Sequence, residues 1–120
     1  MLLTCQIAIK KDVLRLRLEG ELDQSSVKDL KERVVELLER YKIRYLILNF
    51  EKLSFMDSTG VGFLIGRYNS LKLKNGEIIL CDLNEQIKRI IVLSGITRIC
   101  KIVKSENEAY KYVEGITNGK

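Results

Sequence analysis

The run Tyr45-Leu-Ile-Leu-Asn-Phe50 interrupts its apolar residues only at Asn49 and is no longer than a strand. A strand with one face in water would alternate, so a near-continuous run marks a central strand covered on both sides. Whatever fold this chain adopts must lay other elements against both faces of that strand. The segments around it supply them.

Residues 4–10 and 13–19 alternate, the second as Val13, Arg15, Arg17 against Leu14, Leu16, Leu18, and Lys11-Asp12 fits a hairpin turn between them. After Gly20-Glu21-Leu22-Asp23 a helix follows, capped by Asp23 or Ser25, with Val27, Leu30, Val34, Leu37, Leu38 and Tyr41 on one face. The central strand leads through a loop, residues 51–57, into a helix over 58–73 that stops at Asn75-Gly76. Residues 77–82 form a strand, Asn84 caps a helix that Ser94-Gly95 closes, and residues 98–103 form the last strand. Ser105-Glu-Asn-Glu108 reads as a capping box opening a final helix. The order β-β-α-β-α-β-α-β-α predicts an α/β fold, a small mixed sheet with helices packed on it. No proline, linker or repeat divides the 120 residues, which form one domain over 1–120 with a tail that frays from about residue 115.

Composition removes several chemistries. The chain contains no histidine, which excludes Ser-His-Asp and Cys-His catalysis and His-based metal binding. Cys5, Cys81 and Cys100 lie far apart in apolar surroundings, the pattern of buried thiols rather than of a disulfide framework or zinc site. The net charge of +5 is spread along the chain, with five Tyr and three Phe, which argues for a solvated surface and against nucleic acid as a partner. No apolar run reaches the roughly 20 residues that span a bilayer, and the N-terminus carries no export signal. A cytoplasmic monomer, with no membrane partner, is the expectation.

The segment Phe55-Met-Asp-Ser-Thr-Gly-Val-Gly-Phe-Leu-Ile-Gly-Arg-Tyr68 is where function should lie. Ser58 and Asp57 stand at a helix start, and Gly60, Gly62 and Gly66 follow inside the helix, each costing about 1 kcal/mol relative to alanine. On a helical wheel Val61, Leu64, Ile65, Tyr68 and Leu71 share the side expected to meet the sheet. Thr59, Gly62, Gly66 and Asn69 or Ser70 form a strip of small residues opposite. Two plain explanations exist: the glycines admit a neighbouring helix of the same domain, and Ser58 is only an N-cap. Three functional explanations stand beside them. A nucleotide site at the glycine-rich helix start fits poorly, because the spacing is Gly-x-Gly-x-x-x-Gly and a long loop follows Phe50. A receiver domain phosphorylated on Asp57 lacks the acidic cluster that would hold Mg²⁺. A docking module switched by phosphate on Ser58 fits best, since a helix N-terminus tolerates the added charge while a docked partner does not.

The stretch from Leu53 to Tyr68 also resembles the signature of bacterial anti-sigma factor antagonists, members of the STAS domain family. The resemblance continues in Leu18-Glu-Gly-Glu-Leu-Asp23, Arg44-Tyr-Leu-Ile-Leu-Asn49, Ile87-Lys-Arg-Ile-Ile and Leu93-Ser-Gly-Ile96. It covers nearly the whole chain and is strongest toward the sporulation branch that acts on sigma F. It implies a regulatory protein, not an enzyme, that binds an anti-sigma factor and frees the sigma factor. That partner would also be a serine kinase that binds ATP itself and inactivates the antagonist at Ser58, with a PP2C-type phosphatase restoring it; no cofactor is implied on this chain. The resemblance assigns Asp23, Asp57, Thr59, Gly60, Gly62, Phe63, Gly66 and Arg67 to the partner-facing surface. The chain departs from the pattern at Thr59, where sporulation members carry a second Ser, and at Phe63, which is bulkier than the pattern implies.

Overall fold

The computed structural model describes residues 2–118. Five strands form one sheet in the order β1-β2-β3-β4-β5: β1 (Thr4–Lys10), β2 (Val13–Leu22), β3 (Tyr45–Met56), β4 (Glu77–Cys81) and β5 (Lys101–Ile102). The β1–β2 pair is antiparallel around Lys11, whose φ of 55° makes the tight turn, and every later pair is parallel. Four helices join or follow the strands: α1 (Val27–Arg40), α2 (Ser58–Lys72), α3 (Glu85–Ser94) and α4 (Glu106–Asn118). The expected α/β class and element order are those observed.

The central apolar run behaves as its composition requires. All six residues 45–50 are buried, and alternate side chains enter different cores. Leu46, Leu48 and Phe50 pack with Leu30, Val34, Leu37 and Leu38 of α1, Phe63, Leu64 and Leu71 of α2, and Ile87 and Ile91 of α3. Tyr45 and Ile47 face the other way and pack with Ile79, Cys81, Ala109 and Val113 under α4. Three helices therefore cover one face of the sheet and one helix covers part of the other. Each buried aliphatic side chain contributes about 1.5–3 kcal/mol, so the larger layer dominates the stability of the fold.

Polar contacts seat α4 on its face. Glu106 accepts from Arg17 Nε at 2.7 Å and Nη2 at 2.9 Å, and from Asn49 Nδ2 at 2.7 Å, while Asn49 also donates to Asp82 at 3.1 Å. These residues line a polar cavity of about 430 Å³. The cap is as expected in part: Glu108 N–H donates to Ser105 Oγ at 3.2 Å, but the Glu108 carboxylate reaches back to Lys104 N–H at 2.8 Å.

Some boundaries differ from the expectation. The segment 51–57 is not a loop, because β3 continues to Met56 by pairing with β2, Lys52 opposite Glu19 and Met56 opposite Leu22. The last strand shrinks to Lys101–Ile102, since Ile96–Arg98 form a 3₁₀ turn in which the Ile99 and Cys100 N–H groups both bond to the Ile96 carbonyl. Residues 115–118 belong to α4, and Gly119 and Lys120 lie outside the described residues. Cys81 and Cys100 are buried and Cys5 half-buried; desolvation pushes the Cys5 thiol up to about 11 and the Cys100 thiol to about 12, which makes them inert packing groups. Among the described residues no helix is long and apolar enough to cross a membrane.

Candidate functional site

Strands β2 and β3 are parallel neighbours, so the turns that leave their C-terminal ends emerge side by side. One runs through residues 23–26 into α1, the other through Asp57 into α2. The first is closed by its own side chains. Asp23 Oδ1 accepts from Ser25 N–H at 3.0 Å, the Ser25 hydroxyl at 2.7 Å and Ser26 N–H at 3.2 Å. The Ser26 hydroxyl donates to the Glu21 carbonyl at 2.7 Å and accepts from Asp23 N–H at 3.0 Å. These bonds, the Ser25 hydroxyl foremost, hold the Asp23 carboxyl below its usual range. Asp23 thus shapes the turn, and the N-cap position of α1 falls to Ser26 rather than to Asp23 or Ser25.

At α2 the cap is Asp57. Its extended backbone (φ −108°, ψ −170°) lets Oδ1 accept from Thr59 N–H at 2.9 Å and Gly60 N–H at 3.3 Å, two of the donors a helix start leaves unpaired. The Thr59 hydroxyl donates to the same oxygen. It is the main reason that the Asp57 carboxyl is held below its ordinary value, with the Gly60, Thr59 and Gln24 N–H groups adding to it. Ser58 takes none of these bonds. It is the first helical residue, it is exposed, and its hydroxyl is free to be approached. The plain explanation of Ser58 as an N-cap therefore fails.

The three glycines separate into two kinds. A Cβ on Gly60 would lie 2.6 Å from Met56 Cγ and 2.9 Å from the Leu22 carbonyl oxygen, so Gly60 is buried and needed for α2 to start this close to the strand ends. A Cβ on Gly62 or Gly66 would meet nothing within 4 Å. Those two glycines do not admit a helix of the same domain. Their bare backbone faces outward, beside exposed Ser58 and Asn69.

The rotation of α2 differs from the wheel expectation. Phe63 (4% exposed) and Arg67 (7%) turn inward with Leu64 and Leu71, while Ile65 is 44% exposed. The assignment of Phe63, Arg67 and Gly60 to an open partner-facing surface is corrected accordingly. Phe63 belongs to the core, and the Arg67 guanidinium lies over its ring at 5.5 Å. Nε and Nη1 of Arg67 are buried without a hydrogen-bond partner among the described residues, and burial lowers the guanidinium pKa. Of the expected set, Ser58 and Gly62 are exposed, and Asp23, Asp57, Thr59 and Gly66 are half-buried.

Sequence reasoning missed Gln24, Ser25 and Ser26 as parts of the site. The visible signal was Asp23-Gln-Ser-Ser26, an Asx-turn composition directly after a strand.

Comparison with known proteins gives this arrangement a family. The STAS domain profile matches residues 4–109. The chain belongs to the STAS domain family, within the group whose members are named anti-sigma factor antagonists. An anti-sigma F factor antagonist of Paenibacillus polymyxa is 33% identical over 107 residues, covering 89% of this chain and 92% of that protein. An anti-sigma-B factor antagonist of Listeria monocytogenes is 30% identical over 111 residues, covering 90% and 87%. The fold is similar to that of the anti-sigma factor antagonist SpoIIAA in its unphosphorylated form, with a TM-score of 0.76 and 28% identity over 93% of this chain and 99% of that one. The phosphorylated form of the Bacillus cell fate determinant SpoIIAA superposes with a TM-score of 0.73 at 30% identity, covering 92% and 99%.

Proposed function

We propose that this chain is an anti-sigma factor antagonist that docks, unphosphorylated, on an anti-sigma factor that is also a serine kinase, and that phosphate on Ser58 switches the docking off. A PP2C-type phosphatase reverses the modification, and ATP binds the kinase rather than this chain. The observation that carries this reading is the free, exposed Ser58 hydroxyl between two residues whose polar groups are already engaged. A phosphate there adds about −1.5 to −2 charge. At a helix N-terminus the fold accepts it, whereas at a docked surface it repels acidic neighbours and is costly to desolvate.

The solved phosphorylated form of SpoIIAA supports the reading, because it is similar in fold to this chain and its unphosphorylated form is similar too. The sporulation branch is favoured by the 33% identity to the sigma F antagonist, narrowly ahead of the 30% to the sigma-B antagonist. The protein acts as a cytoplasmic monomer and as a kinase substrate, not an enzyme.

A nucleotide site at the same helix start is disfavoured by the cap. The Asp57 carboxylate already occupies the Thr59 and Gly60 N–H groups, where a nucleotide phosphate would have to sit. The decisive experiment is incubation with the cognate anti-sigma kinase and ATP, followed by peptide mapping. One phosphate on Ser58, with Ser58→Ala still bound but no longer released by ATP, is the expected result. Phosphate elsewhere, or no binding of the kinase, overturns the reading.

A further inference from the structure

Strands β2 and β3 stay paired as far as Leu22 and Met56. The Asp57 N–H then donates to the Leu22 carbonyl at 3.3 Å. Beyond that rung the backbones diverge into separate helices and a main-chain ladder cannot continue. The next bond across the gap comes from a side chain: Gln24 N–H donates to Asp57 Oδ2 at 3.3 Å. Oδ1 of the same carboxylate is the cap of α2.

We propose that Asp57 is the positioning residue that joins the β2–α1 turn to the start of α2, making one preformed docking edge of Asp23 and Ser58. The inference deepens the functional reading above and rests on it for the identity of the visitor, an anti-sigma serine kinase. Asp23, Ser25 and Ser26 close the turn on itself, and the Ser26 hydroxyl ties it back to the Glu21 carbonyl at the end of β2. Past the Leu22 rung, the bond from the Gln24 amide to Asp57 sets this closed turn against the start of α2. A partner meeting both segments avoids the cost of ordering one against the other.

Two substitutions separate the two duties of the carboxylate. In Asp57→Asn the side-chain oxygen still accepts from the first turn of α2, but the amide group that replaces Oδ2 presents donors to the Gln24 N–H. In Asp57→Ser a good N-cap remains that is too short to reach Gln24. Amide hydrogen exchange on the isolated chain should show Gln24 protection falling about tenfold in both variants, the factor that about 1.4 kcal/mol makes, while Thr59 protection is kept. Unchanged Gln24 exchange in both variants overturns the latch. In the kinase assay, with the anti-sigma kinase encoded in the same genome, KM for the variant chains should rise about tenfold with kcat for Ser58 unchanged. Unaltered KM overturns the docking edge. A wild-type chain that neither binds that kinase nor accepts phosphate overturns the functional reading instead, and the exchange experiment still decides the latch.

Discussion

The hydroxyl of Thr59 is bonded to the carboxylate of Asp57, two residues back, and the hydroxyl of Ser58 between them has no partner among the described residues. Two adjacent hydroxyls on one helix turn are thereby made inequivalent. Transfer of a phosphoryl group needs a hydroxyl that a kinase can reach and align, and only one of the pair offers it.

Thr59→Val should accordingly leave phosphate incorporation intact at Ser58, whereas Ser58→Ala should abolish it. Mass spectrometry of the labelled peptides checks both. Thr59→Val should also lower stability by about 1 kcal/mol, the ordinary worth of one hydrogen bond, as read in urea unfolding.

Ser58→Asp should weaken docking while leaving circular dichroism unchanged. A carboxylate in the first turn of a helix is neutral to stabilising by about 0.3–1 kcal/mol, so the melting temperature should hold or rise slightly. Unfolding of this variant would mean that Ser58 serves the fold first.

The glycines should respond in opposite directions. Gly60→Ala pushes a methyl group against Met56 and the Leu22 carbonyl, and a loss of about 1–3 kcal/mol is expected. Gly62→Ala and Gly66→Ala have open space and helical geometry, so each should gain about 0.4–1 kcal/mol. Both should nonetheless bind the partner less well. Paired urea melts and binding isotherms separate the two effects.

Replacing Arg67 by Met keeps an unbranched apolar side chain against Phe63 but removes two buried guanidinium nitrogens that have no partner among the described residues. Stability should hold or rise by about 1 kcal/mol, whereas Arg67→Ala should fall because it leaves a void. Equal losses in both variants would show that the guanidinium itself is required.

Acid should loosen the fold in a defined direction. Asp57, Asp23 and Glu106 are all held below their ordinary values, chiefly by the Thr59 hydroxyl, the Ser25 hydroxyl and Arg17 respectively. A depressed folded-state pKa stabilises above the unfolded value, about pH 4 for a carboxyl group, and that stabilisation fades as pH falls through the lower folded values. Unfolding free energy should therefore decline below about pH 4, and Asp57→Asn should reduce the slope. A flat profile down to pH 2 would contradict these bonds.

The central strand, the helix order and the stop signals were legible because they rest on local chemistry. Residues 45–50 can only be buried on both faces, Asn84 caps α3 through the Ile87 N–H, and Gly95 ends it at a φ of 81°. The length of β3 was not legible, because Glu51, Lys52 and Ser54 are polar and exposed and are held in the sheet by β2. The rotation of α2 was hidden for a different reason. Its apolar residues ring the helix, so periodicity alone cannot choose between burying Ile65 and burying Phe63 with Arg67. The close approach of Gly60 to Leu22, a tertiary fact, decides it. Ser58 was legible as the candidate hydroxyl, but that Asp57 would cap and Thr59 be occupied depended on side-chain geometry that spacing does not encode.

The open space above Gly62 and Gly66 means that the fold has room for a Cβ at either position. If the partner docks on this ridge, as proposed above, its choice can be tuned by a methyl group there with no folding defect to repair. On that reading, several copies of such a domain in one cell are kept from cross-talking by a single methyl group, each copy folding alike and answering to its own partner.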